Sequence, residues 1–183
     1  MLKAGIVSST HEIEQILALQ QIYLRGKKSA TEEKDQGFLT VKHTFDALQQ
    51  MHNREPSVIV KHHDRVIAYA LTMPSACRHL VPVLVPMFDH FDSFFFDNRL
   101  ISSYNYYVMG QICVDKAYRG KGVFDLLYAT HKGFFGKKYD FTITEVSLSN
   151  TRSMRAHERV GFMNISEFED VTDKWAVMLW DWR

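Results

Sequence analysis

A mixed α/β or α+β layout, with one sheet covered by helices, is predicted by three observations. Segments of strand character alternate with segments of helical spacing along the 183 residues. An apolar run, Ile112-Cys113-Val114-Asp115, leads into a glycine-bearing turn, Tyr118-Arg119-Gly120-Lys121-Gly122-Val123, that opens a helix. Val58-Ile59-Val60 and Val66 to Leu71 flank His63-Asp64 as the two arms of a hairpin.

Each element follows from local pattern. Residues 2 to 7 form a first strand. Ser9 and Glu12 make a capping-box pattern ahead of Ile13, Ile16, Leu17 and Gln20 at helical spacing. The stretch from Gly26 to Gly37 is polar and charged and reads as an exposed loop. Thr44 to Met51 is a second short helix, and Pro56 precedes the hairpin. Ala76 to Phe91 is predicted as one helix, although Pro82 and Pro86 interrupt it. Phe94-Phe95-Phe96 fits no element, and the Phe91 to Phe96 cluster is expected in the core or at a dimer interface. Tyr104 to Val114 is a long strand. Gly122 to Phe135 is a helix with Gly136 as C-cap. Asp140 to Leu148 is a strand, and Ser153 to Val160 a helix stopped by Gly161. Residues 163–169 and 174–182 supply the last strands. One domain over residues 1–183 is expected.

Composition excludes several classes. Lys and Arg number 22 against 21 Asp and Glu, so bulk charge does not favour nucleic acid as a partner. Two cysteines cannot build a disulfide framework, which suits a reducing cytoplasm. The N-terminal residues lack the apolar core of a leader peptide. Leu80 to Phe88 is too short, and too broken by proline, to span a membrane.

The turn at Arg119 to Gly122 carries chemistry. A strand that runs through glycines into a helix gathers unpaired backbone N–H groups around one point. The helix dipole, Arg119 and Lys121 add positive charge, which makes a phosphate or pyrophosphate site. Further on, Ser153, Ala156, His157 and Val160 share one helix face behind Asn150, a natural N-cap. Cys113 reads as a small apolar filler. Glu145, on the strand leading to Asn150, is the best carboxylate for a general base. Tyr107 and Gln111, alternating on one face of their strand, could order a water or contact a substrate.

These two constellations resemble the GNAT superfamily of acetyl-CoA-dependent N-acetyltransferases. The family's R/Q-x-x-G-x-G/A pattern reads here Arg119-Gly120-Lys121-Gly122-Val123-Phe124. Its second pattern is matched by Asn150, Ser153, His157 and Gly161-Phe162. The clear resemblance spans about residues 108 to 182. It implies a mixed, mostly antiparallel sheet flanked by helices on both faces, and acetyl-CoA as co-substrate with no metal. It implies that the backbone of Gly120, Lys121, Gly122, Val123 and Phe124, with Arg119, holds the pyrophosphate. The edge of Ile112-Cys113-Val114 would pair with the pantetheine arm, and Asn150 and Ser153 would contact the cofactor. His157 would sit near the sulfur as a donor to the departing thiolate. Phe124 stands where the family has Gly or Ala, and His157 where it has Tyr. The implied activity is direct acetyl transfer to a primary amine of a small molecule, in a protein that could be a homodimer. The alternative is a CoA-binding sensor or interaction module without catalysis.

Overall fold

The computed structural model describes residues 1–24, 26 and 38–183. Apart from Gly26, the loop expected between Gly26 and Gly37 lies outside these residues. In chain order the strands are β1 (Leu2–Ile6), β2 (Val58–His62), β3 (Arg65–Pro74), β4 (Phe95–Phe96), β5 (Arg99–Leu100), β6 (Tyr106–Val114), β7 (Phe141–Ser147), β8 (Met163–Glu169) and β9 (Lys174–Asp181). The described α-helices are α1 (Thr10–Tyr23), α2 (Phe45–Arg54), α3 (Val85–Ser93), α4 (Val123–Phe135) and α5 (Thr151–Val160).

Seven strands make one sheet in the order β1-β2-β3-β6-β7-β9-β8. Neighbours are antiparallel except β6 and β7, which run parallel. Alternation along the strands sends side chains to two cores. Tyr69, Leu71, Met73, Val108 and Ile143 pack beneath α1, α2 and α3 with Ile13, Ile16, Met51 and Phe88. Ala68, Ala70, Tyr107, Val146 and Met178 pack beneath α4 and α5 with Leu127, Tyr128 and Phe162. Helices thus cover both faces, as expected.

Two irregularities at the sheet's centre shape everything that follows. The first is a bulge in β6. Ala70 faces Ile112 but Thr72 faces Met109, so β6 carries one residue more than β3 over that stretch. A side chain at Gly110 would point at Met73 and Leu71, and Gln111 also turns to that face, toward Tyr69. The second is a splay. β6 and β7 pair only at Tyr106, Tyr107 and Val108, opposite Phe141, Thr142 and Ile143. Beyond Val108 they part, and the Thr144 hydroxyl bridges to the Met109 carbonyl at 3.0 Å.

The helix expected over 76–91 is instead broken. Two 3₁₀ turns, Ser75–Leu80 and Pro82–Leu84, precede α3, and Pro82 and Pro86 each fall in a first turn. Proline lacks the N–H an interior position needs but is at home at a helix start. The Phe94–Phe96 stretch enters the small β4–β5 hairpin. Its turn residues, Asp97 and Asn98, both take positive φ, which these residue types tolerate better than most. Phe91 is fully buried while Phe95 is 68% exposed.

Candidate active site

The turn after β6 forms as its composition requires. Gly120 and Gly122 lie at φ +71° and +72°, a left-handed conformation that side chains resist. A Cβ at either would meet open space, so the demand is on the backbone and not on packing. Gly122 caps α4 without any side-chain hydrogen bond, which leaves the first-turn N–H groups facing outward. Arg119 donates from Nε to the Val114 carbonyl at 2.8 Å and lies over the Tyr23 ring. Lys121 is exposed and sits over the Tyr118 ring.

A cavity of about 250 Å³ opens over this turn. Ile112, Cys113, Val114, Arg119, Gly120, Gly122, Val123, Phe124, Asn150 and Ser153 all line it, so Lys121 is the one expected cofactor residue outside its wall. Arg152 and Arg159 also border it, although their helical phase predicts that they face away. Arg159 is paired with Asp125 at 2.7 Å. The Phe124 ring packs onto α4 and α5, edge-on to His157 with centroids 5.3 Å apart. Its backbone N–H remains in the first turn of α4. Asn150 caps α5, its Oδ1 accepting from the Ser153 N–H at 3.1 Å. That leaves its amide Nδ2 without a partner among the described residues. Positive-φ glycines, first-turn N–H groups and an arginine are the chemistry a pyrophosphate requires.

A second cavity of about 100 Å³ lies in the splay, lined by Met109, Gly110, Gln111, Thr144, Glu145, Val146, Leu39, Thr40, Ile112, Ser153 and His157. Leu39, Ile112 and Ser153 border both cavities, so the two meet there. The Glu145 carboxyl has no hydrogen-bond or ion-pair partner among the described residues. Burial, reinforced by the negative charge of Asp170, pushes its carboxyl up to about 7. Asp170 itself is held well below the usual carboxylate range by the Thr172 hydroxyl and the Thr172 and Asp173 N–H groups.

Gln111 and Tyr107 do not share a face, because the bulge lies between them. Gln111 borders the second cavity. Its Oε1 accepts from Tyr69 Oη at 2.6 Å and Gln20 Nε2 at 3.1 Å, and its Nε2 donates to the Val41 carbonyl at 2.8 Å. Tyr107 is fully buried on the α4 side, its hydroxyl 3.0 Å from His131 Nδ1. It borders neither cavity, which removes the physical basis for a substrate contact.

His157 borders the second cavity, but both ring nitrogens are engaged. Nδ1 lies 2.8 Å from the Ser153 carbonyl, which can only accept, so Nδ1 carries the proton. Nε2 therefore accepts from Tyr128 Oη at 2.7 Å. Burial pushes the imidazole down to about 4, so it is neutral at pH 7. A neutral ring whose single proton is bound to a carbonyl is a poor donor to a thiolate, and the role expected of His157 does not fit this arrangement.

The site so described defines a class: an α/β protein with a glycine-bearing turn at a helix start and two adjoining cavities over a split sheet. The family model described as Acetyltransferase (GNAT) family matches residues 15–162, and the chain belongs to that family. As a GNAT acetyltransferase, it uses acetyl-CoA as acyl donor. Solved structures agree on the fold. An N-acetyltransferase from Staphylococcus aureus Mu50 is 16% identical, with 100% of this chain and 99% of that one covered and a TM-score of 0.64. The yncA protein of Salmonella typhimurium, solved with its cofactor acetyl-CoA, is 12% identical over 100% and 94%, with a TM-score of 0.64. The ribosomal-protein-S18-alanine N-acetyltransferase of Escherichia coli is 15% identical over 99% and 94%, with a TM-score of 0.58. No curated protein matches the sequence. Among the described residues no helix is long and apolar enough to cross a membrane, and no cluster of ligating side chains could hold a metal ion.

Proposed function

We propose that the protein is an N-acetyltransferase that moves an acetyl group directly to a primary amine of a small molecule, with Glu145 as general base. The observation that carries this reading is the place of Glu145. It is an unpartnered carboxyl, poised near pH 7, in the cavity that adjoins the phosphate turn.

The backbone of Gly120 to Phe124, with Arg119, holds the pyrophosphate, and Asn150 Nδ2 is placed to bond the arm of the cofactor. The unpaired edge of β6 past Val108 lines the arm's path. A bulge leaves its extra residue out of the ladder, and a main-chain N–H freed in this way at Gly110-Gln111 would suit an oxyanion as the carbonyl carbon becomes tetrahedral. When bound, acetyl-CoA supplies the thioester. Glu145 accepts the proton that the amine must lose as the C–N bond forms and the C–S bond breaks. The Glu145–Asp170 pair gives the acceptor end a negative field, favourable to an amine that arrives as ammonium. Two buried free thiols fit a cytoplasmic location. Direct transfer needs no covalent enzyme intermediate, since holding both substrates together removes much of the barrier.

The test is release of free thiol from acetyl-CoA across a panel of small amines and N-terminal peptides, run beside acetyl-CoA binding. Turnover on small amines is the expected result. Turnover on peptides alone would replace the acceptor class. Binding without turnover on any amine would leave a CoA-binding module.

A further inference from the structure

The departing sulfur still needs a partner, and His157 has no proton to offer. We propose that the Ser153 hydroxyl is the hydrogen-bond donor to that sulfur, with His157 and Tyr128 as the positioning residues that aim it. This rests on the acetyl-transfer reading above.

The argument follows the protons. The Ser153 carbonyl fixes the proton of His157 on Nδ1, 2.8 Å away. Tyr128, donating to Nε2 at 2.7 Å, keeps the ring in that tautomer. The Ser153 Oγ lies 3.3 Å from the same Nδ1. Because Nδ1 is already protonated, Oγ can only accept from it. The hydroxyl hydrogen is then left over, and no acceptor for it exists among the described residues. Such a hydrogen must go where an acceptor can arrive. Ser153 is half-buried and, with Leu39 and Ile112, borders both cavities at their junction. The junction lies between the turn that binds phosphate and the carboxyl that binds the amine, so the thioester has to lie there. Leu39 and Ile112 bring apolar side chains to that point.

The chemistry is donation without transfer. A serine hydroxyl is far less acidic than a thiol, so the proton stays on oxygen while the C–S bond breaks and the electron pair settles on sulfur. The gain is the one a preorganised donor gives to developing negative charge. His157, buried and neutral, shares its one N–H between the Ser153 carbonyl at 2.8 Å and Oγ at 3.3 Å, and adds no charge of its own.

The test uses the free thiol product as the probe. CoA and desulfo-CoA differ only at sulfur, and their affinities for the intact protein are measured by calorimetry at a pH where the thiol ionises. Wild type should bind CoA more tightly than desulfo-CoA. Ser153→Ala should cut that advantage about tenfold, and Ser153→Thr should restore it. The ultraviolet absorbance of the bound thiolate should titrate at lower pH in wild type than in Ser153→Ala. Tyr128→Phe should move that titration in the same direction by less, a change that loosened packing alone would not produce. An undiminished preference for CoA in Ser153→Ala, with its thiolate titration in place, overturns the proposal and leaves acetyl transfer standing. If wild type binds neither ligand, both readings fall together.

Discussion

The two adjoining cavities are built from different materials. The first is edged by main chain: Gly120 and Gly122 at positive φ, and a first turn of α4 without a side-chain cap, all contiguous in sequence. The second is walled by side chains: Glu145 from β7, Gln111 from the β6 bulge, and Ser153 and His157 from α5, brought together by the split between β6 and β7. A main-chain site tolerates changes of side chain, as Phe124 shows by turning its ring aside onto α5. A side-chain site has no such freedom, and its chemistry changes with each residue.

The contrast can be broken first at Glu145. Glu145→Gln should lower kcat by about 10²–10⁴-fold, the usual worth of a general base. The wild-type rate should rise as pH passes about 7, and the variant should lose that limb while keeping its affinity for acetyl-CoA. Steady-state kinetics against pH check both. At the other end, Gly122→Glu should weaken CoA binding by about 100-fold, through left-handed strain and a charge set against phosphate. Gly122→Ala should cost less, because it shares the left-handed strain but sets no charge against phosphate. Calorimetric titration separates the two, and equal losses would mean that charge is irrelevant there.

Smaller effects sharpen the comparison through stability. Burial pushes His43 down to about 4, His131 to about 3 and His157 to about 4. All three lie below the unfolded value of about 6.5, so their contribution is complete above that pH and is lost as pH falls. Each should add a slope of about 1.4 kcal/mol per pH unit between about pH 6.5 and 4, read from urea unfolding. His157→Phe should remove one such increment. Glu145 has the opposite sign. Its folded value of about 7 lies above the unfolded one, so stability is lost as pH rises from about 4.5 to 7. Glu145→Gln should therefore raise Tm at pH 8 and lose that gain near pH 4, as scanning calorimetry can verify.

The same contrast explains what could be seen in the sequence. The glycine turn after β6 was legible because its signal is local: each glycine meets a φ that needs it, and the helix start follows directly. The strands and the capped α5 were legible for similar reasons. Tyr107 and Gln111 were not, because a period of two carries no mark of an extra residue. A glycine beside a polar residue in mid-strand, as in Gly110-Gln111, is the faint signal a bulge leaves. The protonation of His157 was hidden because its partner Tyr128 lies on another helix, 29 positions away. Arg152 was assigned to solvent by phase alone, yet it follows Asn150 closely enough to reach the cavity mouth. The proline-broken segment before α3 carried its own warning in Pro82 and Pro86.

The short parallel joint between β6 and β7 has a consequence for the sheet as a whole. With pairing confined to Tyr106–Val108, β1-β2-β3-β6 and β7-β9-β8 behave as two half-sheets meeting along a seam. On the function proposed above, a ligand arm laid in that seam would complete the missing ladder. Deuterium should enter the β7-facing amides of β6 beyond Val108 quickly in the free protein and slowly once the seam is filled, so the sheet itself registers occupancy.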